Sequence, residues 1–278
     1  MDYACTTLQP FGCVIHAPAS HTPLETVEIT PLRALVQRHG LLLLRGFLAP
    51  ETPEALVRFG ERWGQIALWP FGKVLELVQH DAPDDHVFDH SAMPLHWDGM
   101  YRPQVPELQI FQCLTAPPPA AGGRTLFSHS ARALQEAPPA LRRLWAGVTG
   151  RYVRRSAHYD SHTEAPVVCL HPTQRYGVIR YCEPDPAEGT HYLNPSDIGF
   201  TGLETEAAER VHGTLAAALR SPSCLLAHAW QAGDVLIADN HTLLHGREAF
   251  TAGAPRHLRR LHVLGCPPLD NPHLVRAS

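Results

Sequence analysis

At 278 residues and 44% hydrophobic content, the chain carries enough apolar material for a substantial core, and nothing in it calls for a second domain, so residues 1–278 read as one domain. A formal net charge of −4 provides no basic field of the kind that holds phosphate backbones, which leaves nucleic acid out as a partner. The longest apolar run near the N-terminus, Leu41-Leu42-Leu43-Leu44, is too short to cross a bilayer and no charged-then-apolar leader precedes it; the expectation is a soluble, cytoplasmic protein.

The elements follow in chain order. Thr30-Pro31 predicts the start of an amphipathic helix through Leu32, Leu35 and Val36 that Gly40 ends, because threonine caps and proline suits a first turn. Leu41 to Leu44, bounded by glycine, predicts a strand buried on both faces. A second helix is expected from Thr52-Pro53 to about Trp63, with Leu56, Val57 and Phe59 inward. Lys73 to Val78 reads as a strand and the His- and Asp-rich stretch from His80 to His90 as a solvated connector. Glu107 to Gln112 alternates polar with apolar, as a half-buried strand does.

Ala116 to Gly123, with three consecutive prolines, is a loop, since proline donates no ladder hydrogen bond. Arg124 to Phe127 starts another strand. Helices are expected at Ala131–Glu136, Pro139–Ala146 and Glu204–Leu219, and short strands near Gly150–Arg154, Val167–Leu170 and Val178–Tyr181. A turn and buried strand follow at Gly233 to Asn240, and Arg256 to Val263 reads as the last core strand. Many short strands punctuated by Gly and Pro, with a few helices, suggest an α+β protein: a jelly-roll core, or double-stranded β-helix, with flanking helices. Seven cysteines with no C-x-x-C pair suggest neither a disulfide framework nor a zinc knuckle.

Chemistry concentrates in Pro94-Leu95-His96-Trp97-Asp98-Gly99-Met100-Tyr101. On an extended backbone His96 and Asp98 point to one side and Trp97 to the other. An imidazole and a carboxylate on one face are two of the three ligands of a 2-His-1-carboxylate triad, which leaves metal positions open. The third ligand must come from elsewhere, and His241 and His245 are both candidates. Beyond them, Arg256 and Arg260 share one strand face and Arg259 the other. Two inward guanidiniums would call for anionic ligands, whereas an outward pair would make surface ion pairs.

Taken together, His96-x-Asp98, Gly122-Gly123-Arg124-Thr125, His245, Arg256 and Arg260 resemble the taurine-dioxygenase class of Fe(II)/2-oxoglutarate oxygenases, with the match spanning most of the chain. That resemblance implies Fe(II) on His96, Asp98 and His245, 2-oxoglutarate as cosubstrate on Arg256 and Thr125, O₂ as oxidant, and a substrate anion on Arg260. The presence of Asp98 argues against halogenation, because related halogenases lack this carboxylate. A closer similarity, carried by Leu68-Trp69-Pro70-Phe71-Gly72, Leu95 to Tyr101, Ile237 to Asn240, Leu243 to Phe250 and Pro255 to Arg260, is to the paerucumarin-type (PvcB-like) isonitrile-biosynthesis oxygenases. It implies oxidation of an amino-acid-derived isonitrile, tyrosine isonitrile first among them and tryptophan isonitrile next, by desaturation with or without decarboxylation, or by hydroxylation. Trp69, Phe71, Met100 and Tyr101, next to the motifs, are the expected substrate contacts. The alternatives are a hydroxylase of another small carboxylate or sulfonate, and a metal- or ligand-binding barrel without catalysis.

Overall fold

The computed structural model describes residues 5–19, 22–156, 159–185 and 193–275. Two sheets form its centre. The larger runs, edge to edge, Thr6–Thr7, Cys13–His16, Leu41–Arg45, Val235–Asp239, Leu108–Thr115, His257–Val263 and Leu75–Val78; the smaller runs Leu225–His228, Thr125–His129, Leu243–Arg247 and Met93–His96. Within both, every pairing is antiparallel except Cys13–His16 against Leu41–Arg45.

The apolar pattern explains this stacking. Leu41 and Leu43 join Phe111, Leu236 and Ala238 of the larger sheet against Phe127, Leu226 and Leu243 of the smaller. Their neighbours Leu42 and Leu44 point the other way, with Ile110 and Ile237, onto Leu32 and Val36 of the first helix and Leu56 and Phe59 of the second. A strand covered on both faces needs no polar alternation. The same geometry overturns the half-buried reading of Glu107 to Gln112: the strand is Leu108–Thr115, and even Gln109 and Gln112 are about 1% exposed, because helices cover the face of Leu108 and Ile110 while Phe111 and Gln109 turn to the smaller sheet and Asp98. Helices Ser130–Glu136, Pro139–Ala146 and Thr205–Leu219 cover the back of the smaller sheet, packing Trp145, Val211, Leu215 and Leu219 near Leu95, Leu126 and Leu244. This is the expected jelly-roll with flanking helices.

Local chemistry sets most boundaries. The first helix is Ile29–His39, so Thr30 lies inside the first turn and Glu28 occupies the cap position; Gly40, at φ 74°, closes the helix in the left-handed conformation. The second is Pro53–Glu61, with the Thr52 side chain accepting from the Ala55 N–H at 3.2 Å, and Val57 is only half-buried. Outside the barrel, Asp197–Phe200, Thr149–Ser156, Tyr159–Pro166 and Leu274–Val275 form a further sheet. Tyr159–Pro166 carries no apolar periodicity and was not expected as a strand; eight cross-strand pairs with Thr149–Ser156 define it.

Candidate active site

His96 and His245 are direct partners across neighbouring strands of the smaller sheet, and their ring centroids are 4.1 Å apart. The strand that brings in His96 stops there, so Asp98 sits in the following turn rather than on an extended run. Asn240 holds that turn: its Oδ1 accepts the Asp98 N–H at 3.1 Å, while its Nδ2 donates to the Asp98 and Pro106 carbonyls at 3.0 and 2.8 Å. One ligating atom from each of His96, Asp98 and His245 lies within 4.8 Å of the others. Of the two histidines left open by the sequence, His245 is the one brought to His96 and Asp98.

Hydrogen bonding decides what these atoms offer. His96 Nδ1 donates to the Pro94 carbonyl at 2.8 Å, which leaves the Nε2 lone pair open on the side of Asp98 Oδ1, 3.8 Å away. Arg260 Nη1 lies 3.3 Å from His245 Nε2, so that nitrogen also carries a lone pair. The Gln109 amide nitrogen lies 3.2 and 3.4 Å from the two His245 nitrogens, facing the ring edge between them, and selects neither tautomer. Asp98 Oδ2 accepts from Gln109 Nε2 at 2.6 Å and His262 Nε2 at 2.7 Å, and forms an ion pair with Arg260 Nη1 at 3.1 Å. Oδ1 is the oxygen left over. His245 Nε2 lies 3.6 Å from Oδ2, so a carboxylate braced by its neighbours stands between two imidazoles, a donor set that suits a divalent transition metal.

Burial would raise the Asp98 carboxyl, but Arg260, His245 and His262 hold it well below the usual carboxylate range. Burial, and then the neighbouring charge of His96, push His245 well below the ordinary imidazole range; burial lowers His96 in the same way. Each ligand is thereby kept in its metal-binding protonation state.

Arg256 and Arg260 are both buried and line the cavity over these ligands, whereas Arg259 turns outward to Glu76 Oε1 at 2.9 Å. The inward reading of the arginine pair therefore holds. Arg256 has no carboxylate partner among the described residues; it donates to the Gly123 carbonyl at 3.1 Å and lies 3.5 Å from the Thr125 hydroxyl. Burial, with Arg247 nearby, lowers its pKa to about 9. The Thr125 oxygen already accepts from Trp230 Nε1 at 2.9 Å, so its own proton is free to donate. A buried cation beside a free hydroxyl proton is a seat for a carboxylate. Gly123, at φ 78°, makes room: a Cβ there would stand 3.2 Å from Arg256 Cδ.

The expected substrate contacts Trp69, Phe71, Met100 and Tyr101 line the same cavity. Trp69 stacks on Phe71 at 5.7 Å and leans on His262 at 4.6 Å. The connector from His80 to His90 is not solvated throughout. Asp85, His86 and Asp89 are buried, and Asp85 and His86 line the cavity, because Arg154 pairs with Asp85 and Arg247 pins the loop backbone. Sequence reasoning also missed Gln109, His262, Asn240 and Arg154. A His262–Gln109 pairing two residues along from Arg260 is visible only once the strands are in register.

Two other clusters bring together possible ligands among the described residues. In His171, Asp239 and His241, His171 Nδ1 accepts from the Thr173 and Gln174 N–H groups, which places its proton on Nε2, facing Asp239 Oδ2 at 3.4 Å. Asp239 also accepts from Thr242 Oγ1 at 2.6 Å and His241 N at 2.8 Å, so the cluster braces the turn that carries Asn240. In Cys5, Cys13 and His39, burial and the neighbouring Cys5 push the Cys13 thiol up to about 12, so it keeps its proton. The first repeats the two-imidazole, one-carboxylate donor set, but unlike His96, Asp98 and His245 it does not line the cavity shared with Arg256 and Arg260.

The model of the taurine catabolism dioxygenase TauD, TfdA family matches residues 8–262. The chain belongs to that family. Membership makes it a dioxygenase, and the non-catalytic barrel falls away. Among relatives in this family, a tyrosine isonitrile desaturase of Erwinia amylovora is 45% identical over 268 residues, covering 96% of this chain and 92% of the relative. One of Pseudomonas aeruginosa is 47% identical over 246 residues, covering 88% and 84%. A solved structure of PvcB, described as an Fe, alpha-ketoglutarate dependent oxygenase from an isonitrile synthetic pathway, superposes with a TM-score of 0.83 at 39% identity, covering 99% of this chain and 97% of that one. No described helix is long and apolar enough to cross a membrane.

Proposed function

We propose that residues 1–278 form one Fe(II)- and 2-oxoglutarate-dependent oxygenase domain that oxidises an amino-acid-derived isonitrile, tyrosine isonitrile, at its side chain. The observation that carries this reading is the convergence of His96, Asp98 and His245, one ligating atom of each within 4.8 Å of the others, with Asp98 Oδ2 held by Gln109 and His262 and Oδ1 turned to His96. Similarity to two tyrosine isonitrile desaturases supports the substrate.

In this reading His96, Asp98 and His245 would hold iron and leave it open to 2-oxoglutarate and O₂. Bound iron and 2-oxoglutarate would supply the oxidising power: O₂ and 2-oxoglutarate are consumed, succinate, CO₂ and water leave, and the substrate loses two hydrogens to become an α,β-unsaturated isonitrile, or a vinyl isonitrile if its own carboxylate leaves as a second CO₂. Arg256 receives the distal carboxylate of 2-oxoglutarate, and Thr125 donates its free hydroxyl proton to the same group. Arg260 keeps one edge on Asp98, while its Nε, buried without a hydrogen-bond partner, is available to the substrate's carboxylate. Trp69, Phe71, Met100 and Tyr101 enclose the ring and exclude water. Fixing the side chain against the iron is the protein's task, and small misplacements cost large factors in rate.

Incubation of the iron-loaded protein with 2-oxoglutarate, O₂ and tyrosine isonitrile is expected to yield succinate in step with an oxidised isonitrile, identified by mass spectrometry. Succinate formation stimulated by other small carboxylates or sulfonates, and not by isonitriles, would replace this substrate with a taurine-like one.

A further inference from the structure

The cavity has a second polar end to which iron and 2-oxoglutarate assign no task. Asp85 and His86, on the loop before the ligand strand, and Arg154, on strand Thr149–Ser156 of the outer sheet, line it together with His96. Arg154 Nη2 donates to both Asp85 oxygens at 2.8 and 2.7 Å, and Arg154 Nη1 lies 3.2 Å from His86 Nε2. His86 Nδ1 donates to the Leu193 carbonyl at 2.9 Å, which fixes the ring as a neutral tautomer whose Nε2 accepts. The three residues are 3%, 4% and 9% exposed for Asp85, His86 and Arg154.

This loop is tied to the site. Arg247, two residues beyond His245 on the same strand, donates to the His86 carbonyl at 3.0 Å and the Ser91 carbonyl at 2.8 Å. A desolvated ion pair on a cavity wall, held by a second arginine, is a costly arrangement that packing alone does not require.

Charge decides what such an end receives. Asp85 offsets Arg154, His86 is a neutral tautomer, and Asp185, lining the same cavity, adds negative charge, so this end has nothing to attract a carboxylate. Arg256, with no anionic partner among the described residues, and Arg260, whose partner Asp98 is shared with the metal site, are the places for anions. Asp85 Oδ1 accepts from the Val87 N–H at 3.0 Å as well as from Arg154, whereas Oδ2 accepts from Arg154, keeping acceptor capacity for one more donor. The fitting group is a neutral hydroxyl. The same cavity is lined by Phe71, Val87, Phe88 and Met100, apolar surface of the kind an aromatic ring needs.

We propose that Asp85, oriented by Arg154 and His86, accepts a hydrogen bond from the para-hydroxyl of a phenolic substrate and makes the enzyme select a phenol over an unsubstituted ring. The inference rests on the isonitrile reading above and adds to it which ring is chosen.

The test compares tyrosine isonitrile with phenylalanine isonitrile, which lacks only the hydroxyl, measuring Kd and kcat/KM on the iron- and 2-oxoglutarate-loaded wild type and on Asp85→Asn. Sites built to bond a hydroxyl reject the analogue lacking it strongly, so a wild-type preference for the phenol on the order of 100-fold or more is expected. In Asp85→Asn that preference should fall at least about tenfold, in Kd and KM more than in kcat, because an amide bonds a hydroxyl more weakly than a charged acceptor does. Equal Kd values for the two isonitriles in the wild type would overturn the proposal even if the variant does not fold. So would an Asp85→Asn variant that loses the same factor on both substrates. Binding of neither isonitrile would overturn the substrate reading itself, and this proposal with it.

Discussion

His262 and Gln109 stand opposite each other on adjacent strands of the larger sheet, and both end on the same oxygen of Asp98, at 2.7 and 2.6 Å. The histidine ligands come as a cross-strand pair from one sheet and the braces of the carboxylate as a cross-strand pair from the other. Removing a brace lets the carboxylate rotate and share both oxygens, at a cost in metal affinity. His262→Ala and Gln109→Leu are each expected to weaken Fe(II) binding by roughly 10- to 100-fold while the folded circular-dichroism spectrum persists. Metal titration of the apoprotein checks this, and unchanged affinity in both variants would show that the bracing has no effect on the metal.

Arg256 is a buried guanidinium with no carboxylate partner among the described residues. Arg256→Met should raise the KM for 2-oxoglutarate by on the order of 100-fold, since loss of one side of a buried charged pair costs about 2–5 kcal/mol. Fe(II) affinity should change little. An unaltered KM would move the 2-oxoglutarate carboxylate elsewhere.

Gly122 gives a backbone test of the same corner. It sits at φ 79°, and a Cβ on it would lie 2.5 Å from the Ala249 carbonyl oxygen, so substitution forces two loops apart beneath Arg256. Gly122→Ala should lower stability by about 1–3 kcal/mol and weaken 2-oxoglutarate binding as well. Denaturant midpoints and the KM for 2-oxoglutarate together separate a local from a global effect.

How much of this was legible in the chain varies with the range of the interaction. His96 and Asp98 stand out by residue type and spacing, while His245 and Arg256 could be marked before any fold was known only through the family resemblance, since His241 and an outward arginine pair fit the residues as well. Thr52 and Gly40 likewise act on their own helices. Gln109 could not be marked: within its strand it reads as one polar residue in an alternating run, and its task exists only because His262 pairs with it and the turn after His96 delivers Asp98 beneath. The loop around Asp85 misled for the same reason. Its charges look solvated until Arg154, about 70 residues on and in another sheet, supplies the counter-ion. Thr30 missed its cap because Pro31 fits equally well two positions deeper in the first turn, of a helix that begins at Ile29.

Acid should unfold the protein from an unusually high pH. Burial, with Arg154 nearby, lowers the pKa of His86 to about 4; burial with Arg132 does the same for His129; burial with Arg180 takes His241 to about 3. Below the ordinary imidazole value of about 6.5 the unfolded chain takes up protons that the folded chain refuses. Stability is therefore complete above pH 6.5 and falls as pH drops toward 4, by up to ~1.4 kcal/mol per pH unit for each of the three groups. Urea midpoints at pH 7.5 and pH 5 check the sign; equal midpoints would mean that these rings titrate normally.

The most direct measurement is an anaerobic titration of the apoprotein with Fe(II) and 2-oxoglutarate, followed by visible absorption, in wild type and in Asp98→Ala. The wild type is expected to develop the charge-transfer band of iron-chelated 2-oxoglutarate at one iron per chain, and the folded Asp98→Ala protein to lose tight iron binding and coupled turnover. A folded wild type that shows no such band, or an Asp98→Ala variant with full activity, would contradict the assignment of His96, Asp98 and His245 as the iron site.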